Sequence, residues 1–151
     1  MRAFTHEQEL ELVKKWNEVV SNNDTVVYAG DFIDTDDTQL LASVRHALNG
    51  KVILVKGNHD TLPDSAYREV FDSVHTSLDL EDIKVSIAHS QRKDPRPGWK
   101  RIYGHFHRSC SMPRQNATEG SYCCCVSRNN GYPVKLSNAL EQMEKCGNML
   151  S

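Results

Sequence analysis

No apolar run in this 151-residue chain approaches the ~20 residues that a membrane-spanning helix needs. No secretory pattern opens it either. The expectation is a cytoplasmic protein without membrane association. Charge of one sign is lacking as well. Lysine and arginine number 18 against 20 acidic residues, a formal net charge of −2, so no global field draws the chain to nucleic acid or to a membrane. There is no Cys-x-x-Cys pair among the cysteines, Cys110, Cys123, Cys124, Cys125 and Cys146, which argues against a Cys-ligated structural zinc. They are odd in number and three are adjacent. Neighbours in a strand point to opposite faces, so the triplet cannot build a disulfide framework, and a reducing compartment is the simpler setting. Internal repeats, linkers and low-complexity tracts are missing too.

With 38% hydrophobic and 25% charged residues, the composition is that of a globular chain. Its length suits a single domain over residues 1–151, burying about two-thirds of its unfolded surface. The most informative stretch is Gly57-Asn58-His59-Asp60, which follows the short apolar run Val52-Ile53-Leu54-Val55-Lys56. Such a run reads as a buried strand. An amide, an imidazole and a carboxylate at its end are poor packing material, but they suit a site at the carboxyl edge of a sheet. The pattern recurs. Thr25–Ala29 runs into Gly30-Asp31, with Asp34 three residues on. Ile83–Ala88 runs into His89, and Arg101-Ile102-Tyr103 runs into Gly104-His105-Phe106-His107. Strand after strand ending in a potential ligand implies convergence on one point.

Helical signals fill the intervals. Thr5 and Gln8 form a capping box ahead of an apolar face made by Leu12, Val13, Trp16, Val19 and Val20. Thr35–Thr38 leads into a helix with Leu40, Leu41, Val44, Ala47 and Leu48 on one side and Gly50 as its stop. Pro63, Tyr67, Val70 and Phe71 mark a short helix, and Leu136, Leu140 and Met143 a final one. Val74–Leu80 and Ile83–Ala88 read as paired strands around a tight Glu81-Asp82 turn, and residues 121–126 as another strand. Early alternation of strand and helix, followed by a strand-rich half, predicts an α/β fold with sheets inside and helices outside.

Asp31, Asn58, His89 and His105 offer a carboxylate, an amide oxygen and two imidazoles. This oxygen–nitrogen mixture suits manganese, with iron or zinc as alternatives, better than calcium. A carboxylate can bridge two ions, and His107 alternates with His105 along the backbone, so one or two ions are expected. Two ions clamp a phosphate ester and activate a water as hydroxide. His59 is then the candidate acid for the leaving group, with Asp60 beside it to fix its tautomer and raise its pKa.

These motifs together, Gly30-Asp31-Phe32-Ile33-Asp34, Gly57-Asn58-His59-Asp60, the lone His89 and Gly104-His105-Phe106-His107, resemble those of the calcineurin-like metallophosphoesterase family, in the family's order. Gly131-Tyr132-Pro133-Val134 and the helix after it look like the tail of small bacterial and phage members. The resemblance implies a sandwich of two mixed sheets flanked by helices. It implies that Asp31 bridges both metals, that Asn58, His89 and His105 complete one site, that His107 belongs to the other, and that His59 is the catalytic histidine, supported by Asp60. The expected substrate is a phosphomonoester or phosphodiester, with nucleotides and nucleic acids among the candidates.

The departure from the family is at the start. Only Met1-Arg2-Ala3-Phe4 precedes the capping box, and no Asp-x-His, the family's first pair of ligands, occurs near it. Three explanations stand side by side: a displaced or trimmed start, a strand supplied by another chain, or a genuine loss. Genuine loss would leave a one-metal or metal-free descendant that acts by binding a partner. It would also leave an exposed sheet edge open to self-association. Elsewhere the reading is bland. Asp34 divides between capping and support of the site, while His6, His46 and His75 read as surface or strand residues. Arg92, Lys93, Arg96, Lys100, Arg101, Arg108 and Arg114 read as a solvated face, or else as a basic rim for phosphate, and Tyr132 as a residue at the site's edge.

Overall fold

Strand and helix alternate through the first half of the chain, as the apolar periods require. The computed structural model describes residues 6–32, 35–90, 96–104, 121–124 and 132–150. Helix α1 (His6–Val19) is followed by β1 (Thr25–Ala29), α2 (Thr38–Ala47), β2 (Lys51–Val55) and a one-turn α3 (Asp64–Arg68). Then come β3 (Ser73–His75), β4 (Leu78–Leu80), β5 (Val85–Ala88), β6 (Lys100–Tyr103), β7 (Ser121–Cys123) and α4 (Leu136–Leu150).

Two sheets result. The first has the order β1-β2-β3 and is parallel throughout its described strands, with Val27 opposite Ile53 and Ile53 opposite Ser73. The second has the order β4-β5-β6-β7 and is mixed: β4 runs antiparallel to β5, while β5, β6 and β7 are parallel. The run Val52–Val55 is apolar on both faces because both faces are covered. Val26, Tyr28, Val52 and Leu54 meet Trp16, Leu41, Tyr67 and Phe71 on the helical side. Val27, Ala29 and Val55 meet Val85, Ile87, Ile102 and Tyr122 of the second sheet, and α4 adds Ala139 and Met143 to that cluster.

Local chemistry sets the boundaries. Asp37 caps α2, its Oδ1 accepting from the N–H groups of Gln39 and Leu40 at 2.9 and 3.3 Å. Buried Arg45 closes the other end, donating to the carbonyls of Leu48 and Gly50 at 3.2 and 3.0 Å. Gly50, at φ +90°, turns the chain into β2 rather than ending the helix itself, which stops at Ala47. Trp16 of α1 and Val20, just past its end, are buried one turn apart, whereas Val19 falls to the side of that stripe and is 49% exposed.

One predicted strand divides. Residues 74–80 contribute to both sheets: β3 pairs with β2, then Thr76 and Ser77 bend away and β4 pairs with β5. The turn between β4 and β5 is four residues, Glu81–Lys84, rather than the tight Glu81-Asp82 pair. Without a glycine, Lys84 itself takes the left-handed conformation, at φ +55°. Among the described residues no helix is long and apolar enough to cross a membrane.

Candidate active site

The carboxyl ends of β1, β2 and β5 meet where the two sheets adjoin. The junction is tight because two residues have no side chain. A Cβ on Gly30 would lie 2.3 Å from Nδ1 of His89, and one on Gly57 would lie 2.4 Å from Oδ1 of Asp31. Gly30 also sits at φ +89°, where glycine alone is at ease. Asp31 follows it at φ +55°. Aspartate is one of the few residues that tolerates this region, so Gly30-Asp31 reverses the strand and brings the carboxylate back over its end.

Three donor atoms then converge from both sheets. Nε2 of His89 lies 3.3 Å from Oδ2 of Asp31 and 3.0 Å from Oδ1 of Asn58. The other ring nitrogen, Nδ1, is 3.0 Å from the carbonyl of Ala29. A carbonyl can only accept, so Nδ1 carries a hydrogen and Nε2 is the nitrogen left to face the group. A backbone carbonyl that fixes the distal nitrogen in this way is the usual partner of a metal-ligating histidine. Two oxygens and an imidazole nitrogen facing one another need a positive charge between them, either a proton on His89 or a cation. The spacings accommodate either one, a proton in the metal-free chain and an ion when one is bound. Neighbouring ligands of an octahedral divalent ion held at ~2.1 Å lie about 3 Å apart. The residues present therefore fit a divalent metal ion.

The electrostatics agree. Burial pushes the carboxyl of Asp31 up, but hydrogen bonds from His89 and the His59 N–H, with the charges of both rings, bring it down to about 2. Burial pulls His89 down, yet the hydrogen bonds to Asp31 and the Ala29 carbonyl and the charge of Asp31 outweigh it, leaving His89 above its ordinary value.

His59, half-buried, adjoins the group, and its backbone N–H donates to Oδ1 of Asp31 at 2.8 Å. Asp60 does something other than orient that imidazole. Its carboxylate accepts from the backbone N–H groups of Asp31, Phe32 and Gly57 at 2.8, 3.0 and 2.8 Å. Burial raises its pKa, with the three N–H donors opposing. The tautomer-fixing role read from its position beside His59 gives way to a grip on the backbone of two turns.

Of the other expected residues, His105, His107 and Asp34 lie outside the described residues, as do Arg92, Lys93, Arg108 and Arg114. Among the described residues no three His, Cys, Asp or Glu side chains gather in metal-ligand fashion; the amide of Asn58 is the third member here. The basic rim is not borne out by its described members. Lys100 and Arg101 start β6, at the end away from His89. Arg96 forms a bidentate pair with Asp79 at 2.8 and 3.2 Å and stacks on Trp99 at 3.5 Å. Tyr132, expected at the site's edge, donates instead to Glu18 of α1 at 3.1 Å. The carbonyl of Ala29 and the missing side chain of Gly30 escaped the sequence reading. The one local hint was the Gly-Asp step itself, a dipeptide suited to left-handed backbone.

A model described as the calcineurin-like phosphoesterase superfamily domain matches residues 3–126. An uncharacterized protein of Methanocaldococcus jannaschii is 26% identical over 152 residues, covering 95% of this chain and 81% of that one. A solved structure of a protein of unknown function from Aquifex aeolicus superposes with a TM-score of 0.67 at 21% identity. It covers 91% of this chain and 86% of that chain, a likeness of fold.

Proposed function

This chain belongs to the calcineurin-like phosphoesterase superfamily, and from that premise we propose that it is a metal-dependent phosphoesterase acting on a phosphomonoester or phosphodiester. The observation that carries the proposal is the approach of His89 Nε2 to Asp31 Oδ2 at 3.3 Å and to Asn58 Oδ1 at 3.0 Å, with Nδ1 of His89 committed to a backbone carbonyl. Those residues would hold the ion, with His105 and His107 as further ligands. The mixed oxygen–nitrogen set favours manganese, with iron or zinc as substitutes. When bound, the ion would supply Lewis-acid charge for the phosphoryl oxygens and lower the pKa of a water.

The chain's own residues do the rest. Asp31 supplies the negative charge that fixes the ion. His59, on the turn that donates to Asp31, delivers a proton to the leaving oxygen. Residues 1–151 act as one such domain in the cytoplasm, on a phosphate ester for which nucleotides and nucleic acids are candidates. The alternative, a descendant that binds a partner without turnover, is an outcome of the same test.

The test is manganese stoichiometry by calorimetry, alongside hydrolysis of bis-p-nitrophenyl phosphate and p-nitrophenyl phosphate with and without manganese. Bound ion with manganese-dependent turnover is expected. Bound ion without turnover on either ester would favour the binding descendant, and no bound ion would overturn the metal reading. His59→Ala is expected to keep its ion and lose about 10²–10⁴-fold in kcat, the usual worth of a positioned acid. Unchanged kcat in that variant removes His59 from the acid role.

A further inference from the structure

The site stands on two turns that are remote in sequence, residues 30–32 after β1 and residues 57–60 after β2. The strands beneath them are paired in register up to Ala29 and Val55. Beyond that point no ladder ties the turns together, yet Asp31 and Asn58 must be held to a fraction of an ångström to act on one ion.

The side chain of Asp60 spans the gap. Asp60 is 4% exposed, and its carboxylate gathers three backbone N–H groups. Oδ2 accepts from Gly57 in its own turn and from Asp31 across the gap, and Oδ1 accepts from Phe32 across the gap. The exchange is reciprocal, since Oδ1 of Asp31 accepts from the N–H of His59. Each turn therefore lends a carboxylate to the backbone of the other. The far end of the link is anchored in the core. Phe32 is fully buried and packs edge-on against Tyr28 and Phe71, with ring centroids 5.0 and 4.9 Å apart. Between that anchor and Gly30, Asp31 occupies a backbone conformation that its own Cβ disfavours. Gly30 and Asp31 tolerate that shape without fixing it, and the cross-turn hydrogen bonds hold it.

We propose that Asp60 is a positioning residue, a clamp that holds Asp31 in its left-handed backbone conformation and so aims Oδ2 of Asp31 at Nε2 of His89. The proposal rests on the metal-centre reading for its functional consequence, but the clamp itself is a property of the metal-free chain. Asp60→Asn is the sharp probe. It keeps the size of the side chain and replaces one acceptor oxygen by an NH₂ group, which cannot accept from the N–H groups that face it.

Two measurements decide the matter. The first is amide hydrogen exchange of the metal-free protein. In the unmutated chain the N–H groups of Asp31, Phe32 and Gly57 are expected to exchange slowly although they lie outside any strand. In Asp60→Asn they should exchange at least ~10-fold faster while the amides of β1 and β2 stay slow. The second is manganese affinity, expected to fall about 10–100-fold, as for other residues that orient ligands. Arg45→Met serves as the control. It removes the buried group at the far end of α2, so it lowers the melting temperature without touching the turns, and its manganese affinity should stay within about twofold of the unmutated chain.

Fast exchange of the three amides in the unmutated chain would overturn the clamp, even if Asp60→Asn did not fold. Unchanged affinity in a folded Asp60→Asn would overturn its positioning role. If the unmutated chain binds no manganese, the metal reading fails instead, and the exchange result still decides the clamp.

Discussion

Asp31→Ala is expected to bind manganese at least ~100-fold more weakly than the unmutated protein and to show no measurable hydrolysis of an aryl phosphodiester. Changes among residues that merely orient ligands commonly cost about 10–100-fold, and Asp31 is proposed as a ligand itself. It supplies the only carboxylate among the three convergent donors. Without it, Asn58 and His89 offer two neutral donors to a dication. Its loss also reaches His89, whose proton is stabilised by the hydrogen bond to Asp31.

A signature in pH follows, and Asp31→Asn reads it with least disturbance of shape. Asp31 is depressed from 3.8 to about 2. A depressed carboxyl contributes stability that is present above its unfolded value and lost as pH falls through its folded one. His89 is raised above 6.5. A raised histidine contributes stability that is present below its unfolded value and lost as pH rises through its folded one. In the metal-free protein both contributions are full between roughly pH 4 and 6.5. The difference in melting temperature between the unmutated chain and Asp31→Asn should be greatest there and shrink on either side. Manganese must displace the proton on His89, so its affinity should rise with pH through that same raised pKa. A flat difference between pH 3 and pH 9 would refute the pairing.

The second large effect is expected from a single methyl group. Gly30→Ala should cost about 2–5 kcal/mol, the sum of a left-handed conformation forced on a residue with a Cβ and of overpacking. The added atom would lie 2.3 Å from Nδ1 and 2.7 Å from Cγ of His89, and 2.9 Å from Cα of Gly57. Neither neighbour can yield cheaply. The ring is held by the carbonyl of Ala29, and the Cα belongs to the backbone of the other turn. The sheets must separate or His89 must leave, and both disperse the three donors. Gly98→Ala separates the two causes. Gly98 also has a positive φ, +78°, but nothing lies within 4 Å of the Cβ it would gain. Its cost should be only the strain, about 1–2 kcal/mol, with manganese affinity intact. Thermal unfolding and manganese titration of the two variants check this, and equal losses would show that packing at Gly30 is unimportant.

The ends of the strands were legible in the sequence because apolar runs ended abruptly in groups that a core cannot use. Gly57-Asn58-His59-Asp60 and Gly30-Asp31 announced themselves in this way, and the structure brings Asp31, Asn58 and His89 to one point. The division of residues 74–80 was not legible. Val74, Thr76, Leu78 and Leu80 keep a period of two straight through the bend at Thr76 and Ser77, so alternation alone cannot tell one strand from two in different sheets. The partners of Asp60 were hidden for another reason. Its neighbour His59 is one residue away, whereas two of its three N–H donors lie 28 and 29 residues away. Side-chain identity shows what a group can accept, and only topology shows which donors arrive. The basic residues misled similarly, since Arg96 lies close in sequence to other cations but finds its partner, Asp79, 17 residues back on β4.

The bend at Thr76 and Ser77 also bears on the order of events during synthesis. Residues up to His75 contain every described strand of the first sheet, so Asp31 and Asn58 can take their places while His89 is still to emerge. The carbonyl of Ala29 waits sixty residues for its imidazole, and the contact closes only when β5 has seated the second sheet on the first. Assembly of the three donors is thus the last reward of a long loop closure rather than a seed for folding.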